Sequence, residues 1–335
     1  MLPVGKLDVN TLENLLRKYV KKNDQVLLGP KIGEDAAVVK IGETVLVVST
    51  DPITFATDEI GYYSVVVNAN DVASCGIRPR WFSVTVLLPE YKENEKMADR
   101  IFKQIHDACE KFNISLIGGH TEITHDINRP IVVGQMIGQG IEKSLITTGG
   151  AKPGDMVLMT KGVCVEGTSV IAREKEEFLL AHGISRRFVN AAKKFLFDPG
   201  ISIVEEACLA SDSACINSMH DITEGGLANG LNEIAMASGV EIEVEFDKIL
   251  FFEETKIICD ALGLDPLGVI GSGSLLATAA MDEAEKLLKK AREAEMIFNI
   301  IGQVRRFGSP MVTMVKPEGS EKLPYYQRDE IVKIF

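Results

Sequence analysis

Leu12, Leu15, Leu16, Tyr19 and Val20 recur at three- and four-residue spacing, which predicts an amphipathic helix with Asn10 or Thr11 as its N-cap. An apolar run over 44–49 predicts a strand that ends at Asp51-Pro52. A helix-like stretch over 60–75 and a strand over 81–88 follow, then a long amphipathic helix over 97–112. Residues 114–117 read as a short strand that stops at Gly118-Gly119, and 131–138 as another strand. The segment 147–155, TTGGAKPGD, places three glycines and a proline between two strand-like runs and reads as a domain boundary.

Beyond that boundary the pattern starts afresh. Strands are predicted over 156–160, 216–219, 240–246 and 274–280, and helices over 167–180, 185–197, 202–210, 225–238, 254–262 and 282–295. Terminal strands follow, and the polar tail over 316–335 is expected to cover the surface of the second half. Mixed strands and helices on both sides of the boundary predict two α/β (α+β) domains, 1–150 and 151–335.

Composition narrows the function classes. Thirty-six Lys and Arg against 48 Asp and Glu give a net charge of -12, opposite to the footprint of a nucleic-acid binder. No apolar run is long enough to span a bilayer, and the opening MLPVGKLDVN has no apolar leader core, so the expected location is cytoplasmic and no membrane partner is expected. The six cysteines lack CxxC spacing and read as buried small apolar residues rather than ligands of zinc or iron-sulfur.

No GxxxxGK[ST] is present, and no GxGxxG opens a helix after a first strand. What stands out is acidic residues at the ends of apolar segments: Asp35 in GEDAA, Asp51 in STDP and Asp71 in NAND. Carboxylates converging at strand ends would repel one another unless a hard cation neutralised them, and Mg²⁺ takes a few carboxylates plus phosphate oxygens. The alternative is that each aspartate caps a turn or a helix. Asn68 and Asp71, three residues apart, share one face of the predicted helix.

Gly118-Gly119-His120-Thr121-Glu122 reads as a strand running into a glycine turn whose N–H groups can approach phosphate, with Thr121 or His120 adding contacts; the alternative for His120 is a hydrogen-bonded turn histidine. His106, His125, His182 and His220 are read that second way. In Asp221-Ile222-Thr223-Glu224-Gly225-Gly226-Leu227 a strand turns over two glycines into a helix, which makes either a second anion site or a capped turn.

In their order along the chain, GEDAAVV (33–39), STDP (49–52), NAND (68–71), GGHTE (118–122), DITEGGL (221–227) and GSGSLL (271–276) resemble the AIR synthase, or PurM-like, ATP-binding superfamily, from Pro3 to about Gly308. That superfamily includes aminoimidazole ribonucleotide synthetase, selenophosphate synthetase, thiamine-monophosphate kinase and the hydrogenase maturation protein HypE. The GKL start and Gly263-Leu264-Asp265-Pro266-Leu267 resemble HypE and HypE-like proteins most. The resemblance implies that Asp35, Asp51, Asp71 and Asp221 hold Mg²⁺ bound to ATP. It implies nucleotide contacts from Asn68, Gly118, Gly119, His120 and Thr121, with Glu122 and His120 orienting the acceptor. It also implies a homodimer joined through a barrel-like interface of N-terminal mixed sheets, beside C-terminal α/β sandwich domains.

Two departures qualify the likeness. HypE ends in a Pro-Arg-Ile-Cys-like tail whose thiol carries the reacting carbamoyl group, whereas this sequence ends DEIVKIF. HypE also usually has Asn-Glu-Gly where Gly271-Ser272-Gly273 stands here, and a serine is no carboxylate base. The selenocysteine or Cys followed by Lys of selenophosphate synthetase is absent as well. The expected activity is therefore that of a HypE-like paralogue. It would transfer the ATP γ-phosphate to an oxygen or comparable nucleophile of a small or protein-tethered substrate, with a link to hydrogenase maturation and its partner proteins. The alternative is a non-catalytic ATP-binding scaffold in a maturation complex.

Overall fold

The structure, a computed structural model, describes residues 7–30, 34–54, 58–90 and 93–335. Pro3 to Lys6 of the opening motif and Gly33 lie outside the described residues. Helix α1 (Val9–Tyr19) forms where the periodicity predicts it, but its N-cap is Asp8. The Asp8 backbone is extended, so its carboxylate folds back to accept the Thr11 N–H at 3.0 Å.

The first half is a six-stranded sheet of β1 (Val26–Leu28), β2 (Ala37–Ile41), β3 (Thr44–Ile53), β4 (Pro79–Pro89), β5 (Ser115–Thr124) and β6 (Ile131–Gly140), in the order β1-β2-β3-β6-β4-β5. Helix α2 (Ile60–Ser74) lies against β3 and β6, and α3 (Asn94–Phe112) packs on α2 and makes the crossover between the parallel strands β4 and β5. Apolar on nearly every side, α2 is buried almost throughout, as a helix enclosed by a sheet and other helices must be.

Two strand ends differ from expectation. Strand β3 does not stop at Asp51-Pro52 but runs to Ile53, with Asp51 opposite Gly134 of β6. Among the described residues β2 pairs with β3 only as far as Val48, so no described strand needs an N–H from Pro52 on that side. Strand β5 likewise runs on through Gly118-Gly119 with no turn, after a register shift against β4 that skips Ile117. The reason is close approach: a Cβ on Gly119 would lie 1.9 Å from the Val84 carbonyl oxygen of β4.

The second half is a seven-stranded sheet of β7 (Met156–Thr160), β8 (Ser218–Asp221), β9 (Val240–Glu245), β10 (Leu275–Ala279), β11 (Phe298–Phe307), β12 (Met311–Lys316) and β13 (Gly319–Lys322), in the order β13-β12-β9-β11-β7-β10-β8. Strands β7 and β10 are buried on both faces. Met156, Leu158, Leu275 and Ala277 pack on one side, with α7 (Val204–Ser213) and α10 (Met281–Glu293). Val157, Met159 and Leu276 pack on the other, with α4 (Val165–Glu174), α8 (Gly226–Ser238) and α9 (Glu253–Leu262). The helix predicted over 167–180 is divided at Lys175 into α4 and α5 (Glu176–Ala181), and α6 (Arg186–Lys193) is shorter than predicted.

The halves are not joined by a loose tether. One apolar cluster runs from α2 and the first sheet into α7 and α10. The glycine-rich segment is clamped to the second half, with Thr147 bridging Ser218 and the Cβ position of Gly150 1.8 Å from the Asn217 carbonyl oxygen. Five cysteines are buried as expected; Cys215 is exposed, because it sits where the chain reverses after α7. No helix among the described residues is long and apolar enough to cross a membrane.

Candidate functional site

Asp35 precedes β2, Asp51 lies near the end of β3, Asp71 on α2 and Asp221 at the end of β8, so four separate elements deliver one carboxylate each. They converge at the junction of the two halves. Asp71 is buried, and that burial together with the nearby carboxylates of Asp221, Asp51 and Asp35 pushes its pKa well above the ordinary carboxylate range. The Ser49 hydroxyl donates to the Asp71 carboxylate and pulls the other way. The Ser74 hydroxyl lies 3.4 Å from an Asp35 oxygen.

Asn68 stands behind this cluster. Its Oδ1 accepts the Asp51 N–H at 2.8 Å, and its Nδ2 donates to the Ser64 carbonyl at 2.9 Å and toward the Asp51 carbonyl at 3.4 Å. The amide therefore fixes Asp51 to α2. Asn70 works in the same way on the other side, donating to the Ile201 carbonyl at 2.8 Å and accepting the Ile203 N–H at 2.9 Å. One turn of α2 thus ties the first sheet to the second half at the carboxylates.

His220 is part of the cluster although its sequence context set it aside. Its Nδ1 lies 2.9 Å from Asp35 and its Nε2 2.8 Å from Glu233. Burial opposes a charge on the ring, but the two carboxylates, one on each nitrogen, hold its pKa well above the usual imidazole value. A positive ring between two carboxylates offsets part of the repulsion. The only available signal was its position next to Asp221 at a strand end.

Carboxylate oxygens of Asp35 and Asp221 and a ring nitrogen of His220 lie within 4.8 Å of one another; with both His220 nitrogens taken up by Asp35 and Glu233, the aspartates are the cation ligands on offer. The carboxylate oxygens suit a hard divalent cation, which would offset the burial and the mutual repulsion that push the Asp71 pKa up.

The GGHTE residues are elsewhere. Within one chain β6 and β4 separate β5 from β3, about 14 Å at the usual strand spacing, so Gly118, Gly119, His120, Thr121 and Glu122 are not part of the cluster that holds Asp51. They form an exposed edge strand, where His120 Nε2 lies 3.2 Å from the Glu122 carboxylate. The DITEGGL turn is also not an open anion cradle. The Gly225 N–H at the start of α8 donates to Asp329 at 2.7 Å, so a carboxylate of the chain's own tail occupies that end of the helix.

The family description "AIR synthase related protein, N-terminal domain" matches residues 33–139, and its "C-terminal domain" counterpart matches 152–312. A hydrogenase expression/formation protein of Methanocaldococcus jannaschii is 27% identical over 84% of this chain and 83% of its own length. Carbamoyl dehydratase HypE of Cupriavidus necator is 29% identical over 78% and 75%, and the thiamine-monophosphate kinase of Pyrococcus abyssi 28% identical over 82% and 82%. Among solved structures, HypE in a HypE-HypF complex superposes with a TM-score of 0.75 over 95% of this chain and 100% of that one, at 22% identity. HypE in complex with ATP gives 0.68 over 97% and 96%, at 23% identity. With family matches in both halves and the two-domain, PurM-like mixed α/β fold of HypE, the chain belongs to the AIR synthase related protein family.

Proposed function

We propose that the protein is a Mg-ATP-dependent enzyme that transfers the γ-phosphate of ATP to an oxygen or comparable nucleophile of a small or protein-tethered substrate. The observation that carries this reading is the convergence of Asp35, Asp51, Asp71 and Asp221 from four elements at one buried junction. Bound there, Mg²⁺ would neutralise charge on the phosphates and on the leaving group. This chain's own residues supply the remainder: Asn68 fixes Asp51, the Ser49 hydroxyl orients Asp71, and His220 holds Asp35. Catalysis on such a frame is mainly positioning and charge neutralisation.

The relatives named HypE and hydrogenase expression/formation protein support hydrogenase maturation as the setting, and the HypE-HypF complex supports a protein partner. The kinase relative supports phosphoryl transfer as the step itself. The test is ADP release from MgATP by purified protein offered small amides, carbamoyl donors or aminoimidazole precursors. Turnover that depends on one of these acceptors supports the enzyme; tight ATP binding without turnover under any of them supports a scaffold.

The homodimer belongs to the same reading. Leu116, Ile117 and Ile123 are exposed on the outer edge of the first sheet, a long apolar edge of the kind that pairs with another strand. A second copy on this edge would extend the sheet toward a barrel-like interface and bring His120 and Glu122 to the boundary between subunits. Light scattering is expected to give twice the chain mass, and Ile117→Lys to give a monomer. A monomeric wild type at micromolar concentration defeats the dimer.

A further inference from the structure

At the end of the first sheet remote from the carboxylates, an open groove of 730 Å³ lies between the two halves. Thr44 on its wall opens β3, and Asp51 lies about 23 Å further along that strand at the usual rise, so the groove is no extension of the cluster. Arg78 and Arg80, around the start of β4, and Lys143, just after β6, line one side. Asp212 and Cys215, at and just beyond the end of α7, line the other. The volume falls within the usual range of small-molecule sites, roughly 300–1,000 Å³.

The walls are fixed by bonds of their own. Arg78 makes a two-pronged ion pair with Glu205 of α7, at 2.7 and 3.1 Å, which ties the halves together beside the groove. The turn that carries Lys143 is held by the Lys40–Glu142 pair at 2.6 Å and by the Ile146 N–H, which donates to the Cys75 carbonyl at 3.0 Å. Gly76, at φ +74°, brings its backbone so close that a Cβ would lie 2.8 Å from the Ser144 carbonyl oxygen. Across the groove the Cys215 N–H donates to Glu283 at 2.7 Å. A ligand entering here would meet a largely preformed site.

Arg80 and Lys143, in contrast, make no hydrogen bond or ion pair among the described residues. With Arg78 satisfied by Glu205, two open cations face one carboxylate, that of Asp212, in a chain whose net charge is -12. A concave surface with that balance draws anions. Ile77, Ile146 and Ile216 also line the groove and give it apolar wall for a carbon skeleton. We propose that this groove is a second binding site, for a small phosphate monoester with an apolar body. Its phosphate, which carries about 1.5 to 2 negative charges at neutral pH, matches the two open cations, and its body lies on the isoleucines. The occupant touches both halves of the chain.

The experiment uses the whole protein in EDTA without nucleotide, so that no metal draws phosphate to the aspartates. Cys215 is the one exposed cysteine of the six and lies on the groove wall, so its alkylation by iodoacetamide, read by mass spectrometry, reports occupancy. Phenyl phosphate at about ten times its dissociation constant should slow that reaction roughly tenfold, as free sites are depleted. Arg80→Gln combined with Lys143→Gln should weaken the binding by about tenfold or more, the scale of lost charge-assisted contacts, and spares the fold because both residues are exposed. Asp51→Asn should leave the protection unchanged. No protection up to about 10 mM phenyl phosphate, ten times a millimolar dissociation constant, overturns the site. So does equal protection in the double variant, or equal protection of the wild type by benzyl alcohol or by inorganic phosphate. Loss of protection in Asp51→Asn would move the binding to the aspartate cluster and overturn it as well.

Discussion

Asp51→Asn is expected to abolish the rise in melting temperature that MgATP gives the wild type, without lowering the melting temperature of the nucleotide-free protein. A ligand at 100 times its Kd stabilises the native state by about 2.7 kcal/mol, which for a chain of this size is on the order of 5 °C. The substitution exchanges one carboxylate oxygen for an amide nitrogen and leaves the Asp51 backbone free to keep its bonds with Asn68, since those use the Asp51 N–H and carbonyl. It also removes one of the negative charges that raise Asp71, so the nucleotide-free variant should be at least as stable as the wild type. Scanning fluorimetry with ATP, with Mg²⁺ and with both separates the terms. A full MgATP shift in the variant would remove Asp51 from the metal ligands, and a large drop in the nucleotide-free melting temperature would make it a structural residue.

Glu206→Leu is expected to be the most destabilising single substitution outside the apolar core, by about 3–5 kcal/mol, the usual loss when a buried ion pair forfeits one partner. Lys161, in the turn after β7, is buried and pairs at 2.9 Å with Glu206 on α7, whose side chain is only 12% exposed. The Lys161 ammonium also donates to the Gly200 carbonyl at 3.1 Å and the Ser202 carbonyl at 2.5 Å, the segment that Asn70 grips beside Asp71. Without Glu206 the ammonium is left charged in a place that burial already disfavours, as the lowering of its pKa below the ordinary lysine value indicates. Because the folded pKa lies below the unfolded one, the unfolded chain binds more protons between the two values. The penalty is therefore complete at low pH and is relieved as pH rises through the folded pKa toward 10.5. Urea unfolding across pH should show the deficit of Glu206→Leu shrinking on the alkaline side, and Lys161→Met combined with Glu206→Leu should recover most of it. A deficit below about 1 kcal/mol would mean the pair behaves as an exposed one.

The motifs made part of the site legible. Asp35, Asp51, Asp71 and Asp221 could be singled out because aspartates at the ends of apolar segments stand out against periodic surroundings, and the structure brings those four together. Asn68 was legible as a neighbour of Asp71 on one helix face, but its partner, the Asp51 backbone, was not. His220 is not legible, since its surroundings are set by Asp35, distant in sequence, and by Glu233 on the next helix, which meet it only after folding.

By itself the sequence determined the local elements, because periods of 3.6 and 2 are written into consecutive residues: α2, α3, α8 and the buried strands β7 and β10 lie where the apolar pattern puts them. It determined the mixed α/β character of both halves as well. Tertiary structure alone decided what the glycines and carboxylates do. Gly118-Gly119 reads as a turn, but the close approach of β4 keeps it extended, and the extension sends His120 and Glu122 to an outer edge. Gly225 reads as an open helix start, but the tail folds back and fills it with Asp329. The physical reason is range: helix and strand propensities act over a few residues, whereas burial, charge repulsion and steric contact depend on segments that meet only once the chain has folded.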